Sequence, residues 1–216
     1  MIFFWTFRHS ASYLFFCLLG EGFVKSGHRV LISSREPHNS KHVSWKEEVG
    51  ESVGITSFHE AARLGEIIII ALPWSCLKDV LETIDPAYLR NKTIIDVSNA
   101  VHFDNGPRLL LQDTSAGVIV QKLLPESNVV KTLNTISDKI MIHPNFKEGS
   151  PIMFMCGNDN SSKDQVRALL KDIGWTTVVD LGDIRQSLLQ ESIMLACVIS
   201  EINLQSPGSA FALLRH

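Results

Sequence analysis

Residues 67–97 decide the fold, and they read IIIIALPWSCLKDVLETIDPAYLRNKTIIDV. The run from Ile67 to Ala71 and the run from Thr93 to Val97 are short and almost continuously apolar, which is typical of strands covered on both faces. Between them, Ser75 to Ile84 carries its apolar side chains on one stripe, which is typical of a helix. A strand, a helix and a second strand in this order predict parallel strands joined by a right-handed crossover.

The same alternation extends from near the start of the chain to about residue 180. Further apolar runs predict strands at Val30–Ser33, Val129–Thr132, Ile152–Met155 and Thr176–Asp180. A helix is predicted over Ser162–Ile173, where Gly174 ends it, and a long apolar helix over Gln186–Leu204. A helix that is apolar around most of its circumference is expected to be buried, over the sheet or against another subunit.

This alternation predicts an α/β fold, with a doubly wound, mostly parallel Rossmann-type sheet and a C-terminal helical segment. We expect residues 1–216 to form a single domain, because no repeat, low-complexity tract or flexible linker interrupts the pattern. Within it, residues 1–19 form an atypical opening, and residues 185–216 form the C-terminal helical segment.

Composition excludes several classes of protein. The 216 residues are 45% hydrophobic and 20% charged, which is enough for a full core and argues against intrinsic disorder. A net charge of −3 without a long basic run argues against a nucleic-acid partner. The longest continuous apolar stretches fall short of the roughly 20 residues that span a membrane. Four widely spaced cysteines predict no metal site and a reducing, cytoplasmic location.

The carboxyl ends of the predicted strands are where a ligand should bind, since open parallel sheets bind ligands at that edge. Ser33, Ser34 and Arg35 follow the strand that begins at Val30. An NAD site usually has an acidic residue here, whereas hydroxyls and a guanidinium suit the 2′-phosphate of NADP. The competing interpretation is that Arg35 is an ordinary solvated charge on a loop.

Three other strand ends carry compact polar or small groups. Ala71, Leu72 and Pro73 would let the backbone run close to a pyrophosphate or ribose, although they also fit an ordinary strand exit. Ser98 and Asn99 can hydrogen-bond a carboxamide or ribose, although a plain turn uses the same residues. The remaining candidates are Lys131–Thr135, which includes Asn134 and Thr135, and Cys156–Asp159.

No catalytic residue can be assigned from the sequence. His28, His102 and His143 are isolated, and no pairing of a nucleophile with a histidine and a carboxylate can be argued. Hydride transfer between two bound cofactors does not require such a group, because the cofactor supplies the chemistry and the protein supplies the alignment.

From Gly20 onward the chain resembles the small NADP-dependent oxidoreductases grouped with coenzyme F420-dependent NADP reductase. That dinucleotide domain is also similar to those of pyrroline-5-carboxylate reductase and the STEAP metalloreductases. The matching stretches lie at 20–28, 33–37, 96–99, 130–137, 156–159, 174–175, 180–183 and 210–215. The resemblance implies NADPH binding by Ser33, Ser34 and Arg35, contacts at Ala71–Pro73, Ser98 and Asn99, and a nicotinamide-side pocket near Asn134 and Thr135.

The first nineteen residues depart from that family pattern. The family carries G-x-G-x-x-G between its first strand and first helix, whereas this chain has no glycine before Gly20. Ile2–Phe7 still predicts a first strand, Ser12 is predicted to cap the helix, and Arg8 offers charge in partial exchange for the lost backbone contacts. We favour an alternative or wrongly assigned first exon. The other accounts are a variant that has lost cofactor binding and a secretory signal, which Arg8 interrupts.

Two functions remain open at this point. The first is an NADPH-dependent oxidoreductase that passes a hydride to a flavin- or deazaflavin-like acceptor, in the manner of F420-dependent NADP reductase, or onward to a ferric or cupric chelate. The second is a non-catalytic dinucleotide-binding or interaction protein that has lost the glycine-rich loop. We expect a small-molecule redox acceptor as the partner, no nucleic acid and no membrane span, with a homodimer through the C-terminal helix as a further hypothesis.

Overall fold

Strands and helices alternate along residues 2–5 and 11–214, which are the residues that the computed structural model describes. The strands are β1 (Ile2–Trp5), β2 (Val30–Ser33), β3 (Val53–Thr56), β4 (Ile67–Ile70), β5 (Thr93–Asp96), β6 (Val101–His102), β7 (Arg108–Leu109), β8 (Asn128–Thr132), β9 (Met153–Gly157) and β10 (Val178–Asp180). The helices are α1 (Ala11–Lys25), α2 (Ser40–Val49), α3 (Phe58–Leu64), α4 (Trp74–Glu82), α5 (Ala116–Leu123), α6 (Asn160–Asp172) and α7 (Ser187–Leu204).

Eight of these strands form one sheet in the order β10-β9-β8-β5-β4-β1-β2-β3. From β3 to β8 all neighbours are parallel, with β1 between β2 and β4. The β8–β9 pair is antiparallel, and β10 runs parallel to β9. The predicted α/β fold with a mostly parallel, Rossmann-type sheet and a C-terminal helix is confirmed.

The isoleucine-rich strands are buried on both faces because each face is covered by helices. Successive side chains of a strand point to opposite faces. Ile69 accordingly lies in the cluster that contains Phe23, while Ile68 and Ile70 lie in the cluster that contains Leu77. The continuous apolar run is thus the sequence signature of a strand shared by two cores.

The helix ends follow the local signals in the sequence. Asp159 caps α6 by accepting a hydrogen bond from the Ser162 backbone N–H at 2.7 Å. Gly174, which follows the C-cap residue Ile173 of that helix, has a φ of +97°, which an L-residue with a side chain adopts only at a cost. Pro73 precedes the first residue of α4 and lacks the N–H that would otherwise be unpaired.

Some predictions need correction. Ser12 does not cap the first helix, since α1 begins at Ala11 and a cap residue precedes the first helical residue. Cys156–Asp159 is not part of the ligand edge, because β9 runs antiparallel to β8 and ends at the opposite edge of the sheet. The predictions for residues 6–10, including the phosphate role of Arg8, lie outside the described residues.

The chain after α7 folds back across the molecule. Gln205 reverses its direction with a φ of +49°. The Glu201 carboxylate accepts hydrogen bonds from the backbone N–H groups of Gly208 and Ser209 at 3.0 and 2.7 Å. The Phe211 carbonyl then accepts from the Ile152 N–H at 2.9 Å. This returning segment is therefore bonded both to α7 and to the residue that precedes β9.

All four cysteines are free thiols, and three of them are buried. No cluster of metal-ligating side chains occurs within the described ranges. By length and composition, Ile184–Leu204 is the one segment there that is long and apolar enough to cross a membrane. The same helix carries Glu191, which is buried against the sheet in an ion cluster.

Candidate functional site

A cleft of about 680 Å³ opens at the carboxyl edge of β4, β5 and β8. Two groups that the sequence did not indicate complete its walls, the β6–β7 hairpin and the inner face of α7. The lining residues are Ala71–Ser75 after β4, Val97–Asn99 after β5, Val101–Phe103 and Leu110 of the hairpin, Asn134–Asp138 after β8, Met194, Cys197, Val198 and Glu201 of α7, and Ser209.

Seven of the ten predicted site residues line this cleft. They are Ala71, Leu72, Pro73, Ser98, Asn99, Asn134 and Thr135. They meet because β4, β5 and β8 are consecutive parallel neighbours, so that their carboxyl ends share one edge.

The other three predicted residues lie at the carboxyl end of β2, two strands away from β4, at the same edge of the sheet: Ser33 is the last residue of β2, and Ser34 and Arg35 follow it. Ser33 is fully buried, and the Ser34 hydroxyl accepts a hydrogen bond from the Glu36 N–H and lies 3.0 Å from the His42 ring nitrogen. Arg35 is exposed. Burial raises the pKa of the Cys76 thiol in the first turn of α4, and the Arg35 charge acts against that rise.

Asn99 and Asn134 join the two strand ends through paired amides. The Asn99 side chain donates to the Asn134 carbonyl, and the Asn134 side chain donates to the Asn99 side-chain oxygen, both at 3.0 Å. The Oδ1 atom of Asn134 is buried and accepts no hydrogen bond within the described part of the chain. An unsatisfied buried acceptor is costly, and a ligand N–H that reached it would remove that cost.

The backbone before Asn134 is held in an unusual conformation. Leu133 has a φ of +59° and is buried. Residues other than glycine, asparagine and aspartate seldom adopt this left-handed region, and such strain is concentrated at functional sites. The turn at Leu133 directs the chain from β8 into the Asn134–Asp138 wall of the cleft.

Beneath the cleft lies a buried ion cluster. The Lys131 ammonium lies 2.8 Å from the Asp96 carboxylate and 3.1 Å from the Glu191 carboxylate, and it donates to the Ser98 carbonyl at 2.6 Å. Asp96 accepts from both the backbone N–H and the hydroxyl of Ser98. All three polar groups of Ser98 are therefore held, which fixes the turn that carries Asn99.

Glu191 links α7 to the same turn. Its carboxylate oxygens accept from the Ala100 and Gly117 backbone N–H groups, both at 3.4 Å. Burial by itself would lower the pKa of Lys131, but the Asp96 and Glu191 carboxylates together outweigh it and raise that pKa. The ammonium thus stays charged and keeps both carboxylates paired.

The residues of the hairpin were missed because nothing in their local sequence indicates a cleft. The sequence of α7 contained one signal. Glu191 and Glu201 are the acidic residues of a largely apolar helix that has no basic residue. A carboxylate in such a helix requires a partner, and both of these face inward, toward the ion cluster and the returning chain.

The sheet, its carboxyl-edge cleft and the strand order together define a Rossmann-like dinucleotide-binding fold. Residues 18–100 match the family described as NADP oxidoreductase, coenzyme F420-dependent. The chain is 23% identical over 198 residues to the F420-dependent NADP reductase of Methanocaldococcus jannaschii, covering 86% of this chain and 87% of that protein. The resemblance to the F420-dependent NADP reductase family is therefore confirmed.

Solved structures agree with this similarity. A protein from Arthrobacter sp. FB24, provisionally described as an F420-dependent NADP reductase, superposes with a TM-score of 0.89, 26% identity and 99% coverage of both chains. A hypothetical protein from Sinorhizobium meliloti superposes with a TM-score of 0.71, 25% identity and 88% coverage of both. Plasmodium falciparum pyrroline carboxylate reductase with NADP bound has the same fold. It superposes with a TM-score of 0.61 and 14% identity, over 94% of this chain and 65% of that one.

Proposed function

We propose that this protein is an NADPH-dependent oxidoreductase that transfers a hydride to a flavin- or deazaflavin-like acceptor, with a ferric or cupric chelate as a further acceptor. The observation that carries the proposal is the cleft at the carboxyl ends of β4, β5 and β8, which unites seven predicted residues. The similarity to F420-dependent NADP reductases over most of the chain supports an NADP-linked oxidoreductase.

The residues present fit such a cofactor. Asn134 has a buried oxygen that lacks a donor and suits the N–H of a carboxamide. Ala71–Pro73 has no long side chain to keep a ribose or pyrophosphate from the backbone. When bound, NADPH supplies the hydride. The chain's own contribution is to hold Ser98, Asn99 and Asn134 in one orientation through the Lys131 cluster and the amide pair.

Substitution of Arg35 tests whether the protein prefers NADPH to NADH. A guanidinium that binds the 2′-phosphate contributes nothing to NADH, which lacks that group. We expect Arg35→Ala to weaken NADPH about tenfold, or about 1.4 kcal/mol, with NADH little changed. Titrations followed by nicotinamide fluorescence measure both constants, and Arg185→Ala, an exposed arginine paired with Asp183, is the matched control. Equal losses for both nucleotides would refute the role of Arg35.

One observation favours the second function, a dinucleotide-binding or interaction protein without turnover. The chain has no glycine before Gly20, so that the glycine-rich phosphate loop of the family is absent. One experiment distinguishes the two functions. NADPH is titrated into this chain and into a version whose residues 6–12 are replaced by a glycine loop. If neither binds below about 1 mM, the oxidoreductase proposal fails. Binding without oxidation by any acceptor would support the non-catalytic alternative.

A cytoplasmic location is part of the proposal. It is supported by four thiols that are all free, three of them buried, as expected in a reducing compartment.

A further inference from the structure

His42 is a buried histidine that the proposed function leaves without a role. It lies in the first turn of α2 and is only 8% exposed. Its Nε2 atom lies 3.0 Å from the hydroxyl oxygen of Ser34, one of the residues predicted to bind the extra phosphate of NADP. Buried polar groups in folded proteins are normally hydrogen-bonded, and the Ser34 hydroxyl is such a partner for the imidazole. The contact therefore joins α2 to the proposed nucleotide site.

Helix α2 fixes the position of this ring. The Asn39 carbonyl accepts a hydrogen bond from the His42 backbone N–H at 3.0 Å, which closes the first turn of the helix. Trp45 lies three residues further along, on the same side of α2. It is buried, and its Nε1–H donates to the Glu21 carboxylate of α1 at 3.1 Å. Because Trp45 anchors this side of α2 in the core, the imidazole is held against Ser34.

The state of the His42 ring decides which hydrogen bonds Ser34 can offer to a ligand. A serine hydroxyl can accept two hydrogen bonds and donate one. The Glu36 backbone N–H, at 3.1 Å, uses one of the two acceptor positions. When Nε2 of His42 carries a proton, it donates to Ser34 and uses the other, and the hydroxyl proton is left for a third group. When Nε2 is bare, it takes that proton itself, and Ser34 has none for a ligand.

Ser34 is the serine of this strand end that solvent reaches. It is 9% exposed, whereas Ser33 is fully buried. The next residue, Arg35, is exposed and brings a positive charge to the same turn. An acceptor beside a guanidinium is favoured when it is anionic, since charge-assisted hydrogen bonds are about twice as strong as neutral ones. The third group that Ser34 suits is therefore a phosphate oxygen.

We propose that His42 is a positioning residue for the 2′-phosphate of NADPH: by donating to Ser34, it directs the Ser34 proton toward a phosphate oxygen. This inference rests on the proposed function. A fully ionised phosphate can only accept hydrogen bonds, so that it requires a donating Ser34 and hence a protonated Nε2. The ribose hydroxyl that NADH has instead can either donate or accept, so that NADH binding does not depend on the state of His42.

The first test is His42→Phe, which keeps a flat ring and removes both nitrogens. We expect the dissociation constant of NADPH to rise about fivefold and that of NADH to stay within about twofold, because only the phosphate requires the Ser34 proton. His42→Gln keeps an N–H donor and should leave both constants within about twofold. The constants come from titrations followed by nicotinamide fluorescence, and His59→Phe, at an exposed histidine on α3, is the matched control.

The Ser34→Ala background distinguishes positioning from a structural role. If His42 acts through the Ser34 hydroxyl, His42→Phe should weaken NADPH by no more than about twofold once that hydroxyl is gone. A structural role would instead add its own loss, for NADPH and NADH alike.

The unmodified chain provides a test that needs no variant to fold. Nitrogen-15 NMR of the imidazole shows which ring nitrogen carries the proton. With NADPH bound, Nε2 of His42 should be protonated. A bare Nε2 in that complex would overturn the inference, because it would accept the proton that the phosphate requires.

Three results of the titrations would also overturn the inference and leave the proposed function intact. They are no loss or equal losses for NADPH and NADH in His42→Phe, a His42→Gln variant as weak as His42→Phe, and a full additional loss in the Ser34→Ala background. If the unmodified chain binds neither nucleotide below about 1 mM, the proposed function fails, and this inference fails with it.

Discussion

At the scale of single residues, Lys131 is a side chain on which several contacts of the site converge. It is fully buried between Asp96 and Glu191 and also holds the Ser98 carbonyl. A buried ion pair contributes little compared with an apolar replacement of all its members. Removing one member alone is different, because it leaves the others charged and without a partner.

Lys131→Met should therefore lower the free energy of unfolding by about 3–5 kcal/mol. The physical cause is the loss of the cation that pairs the Asp96 and Glu191 carboxylates. Urea unfolding followed by circular dichroism measures the difference, and Lys122→Met on the exposed side of α5 is the control. An unfolding free energy within 1 kcal/mol of the unmodified chain would contradict the importance of the cluster, since about that much is typical of an exposed ion pair.

The same pair of proteins tests the raised pKa of Lys131. A raised pKa in the folded state gives a stabilisation that is fully present below the unfolded pKa of lysine, about 10.4. It is lost as the pH rises through the higher folded value. The urea midpoint of the unmodified chain should therefore fall more steeply above about pH 10.4 than that of Lys131→Met. Parallel curves for the two proteins would show that the folded pKa is not raised.

At the scale of elements, the contact between α5 and α7 depends on a missing side chain. A Cβ atom added at Gly117 would lie 2.8 Å from the Ser187 Cβ and Oγ atoms and 3.0 Å from the Lys131 Cδ atom. Glycine therefore lets α7 approach α5 closely enough for Glu191 to accept from the Gly117 N–H. The position of α7 as a wall of the cleft follows from this close approach.

Gly117→Ala should destabilise the protein by about 1–3 kcal/mol, because overpacking at this contact exceeds the gain in helix propensity. Gly20→Ala in α1 should have the opposite sign, since its added Cβ would meet Trp45 at an ordinary 3.5 Å. There the helix gains about 0.5–1 kcal/mol. Thermal unfolding of the two variants measures both effects, and a stabilised Gly117→Ala would show that α7 can shift without cost.

At the scale of the whole molecule, the outer face of α7 is an exposed apolar surface. Leu189, Ile199 and Ile202 are exposed, while the acidic residues of this helix face inward. Crossing a membrane would pull Glu191 away from Lys131, at the cost of two unpaired buried charges. We propose instead that a second copy of the chain covers this face, and thus that the protein is a homodimer.

Light scattering after size exclusion should give about 48 kDa for the unmodified protein, twice the 24.1 kDa of the chain. Ile199→Glu should give a monomer, because it places a charge in the centre of an apolar interface. Leu64→Glu is a matched control, since Leu64 and Ile199 are both 41% exposed. A monomeric unmodified protein would show that the outer face of α7 is not a dimer interface.

The accuracy of the sequence predictions differs between the strands and the site. The strands β2, β4, β5 and β8 were predicted because each is largely buried on both faces and carries a short, mostly apolar run. The short strand β3, at the edge of the sheet, and the β6–β7 hairpin were missed, since neither carries such a run. The reversed direction of β9 could not be predicted, because an apolar run has the same pattern in a parallel and an antiparallel pair.

The sequence alone determined the alternation of strands and helices, the two cores, and the small and polar residues that follow β4, β5 and β8. These properties depend on local periodicity and on short-range turn chemistry. Only the tertiary structure decided that Asn99 pairs with Asn134, that Lys131 is enclosed by Asp96 and Glu191, and that α7 brings Glu201 to the cleft. These contacts join residues 35 to 60 or more positions apart, and their geometry follows from strand order and helix packing.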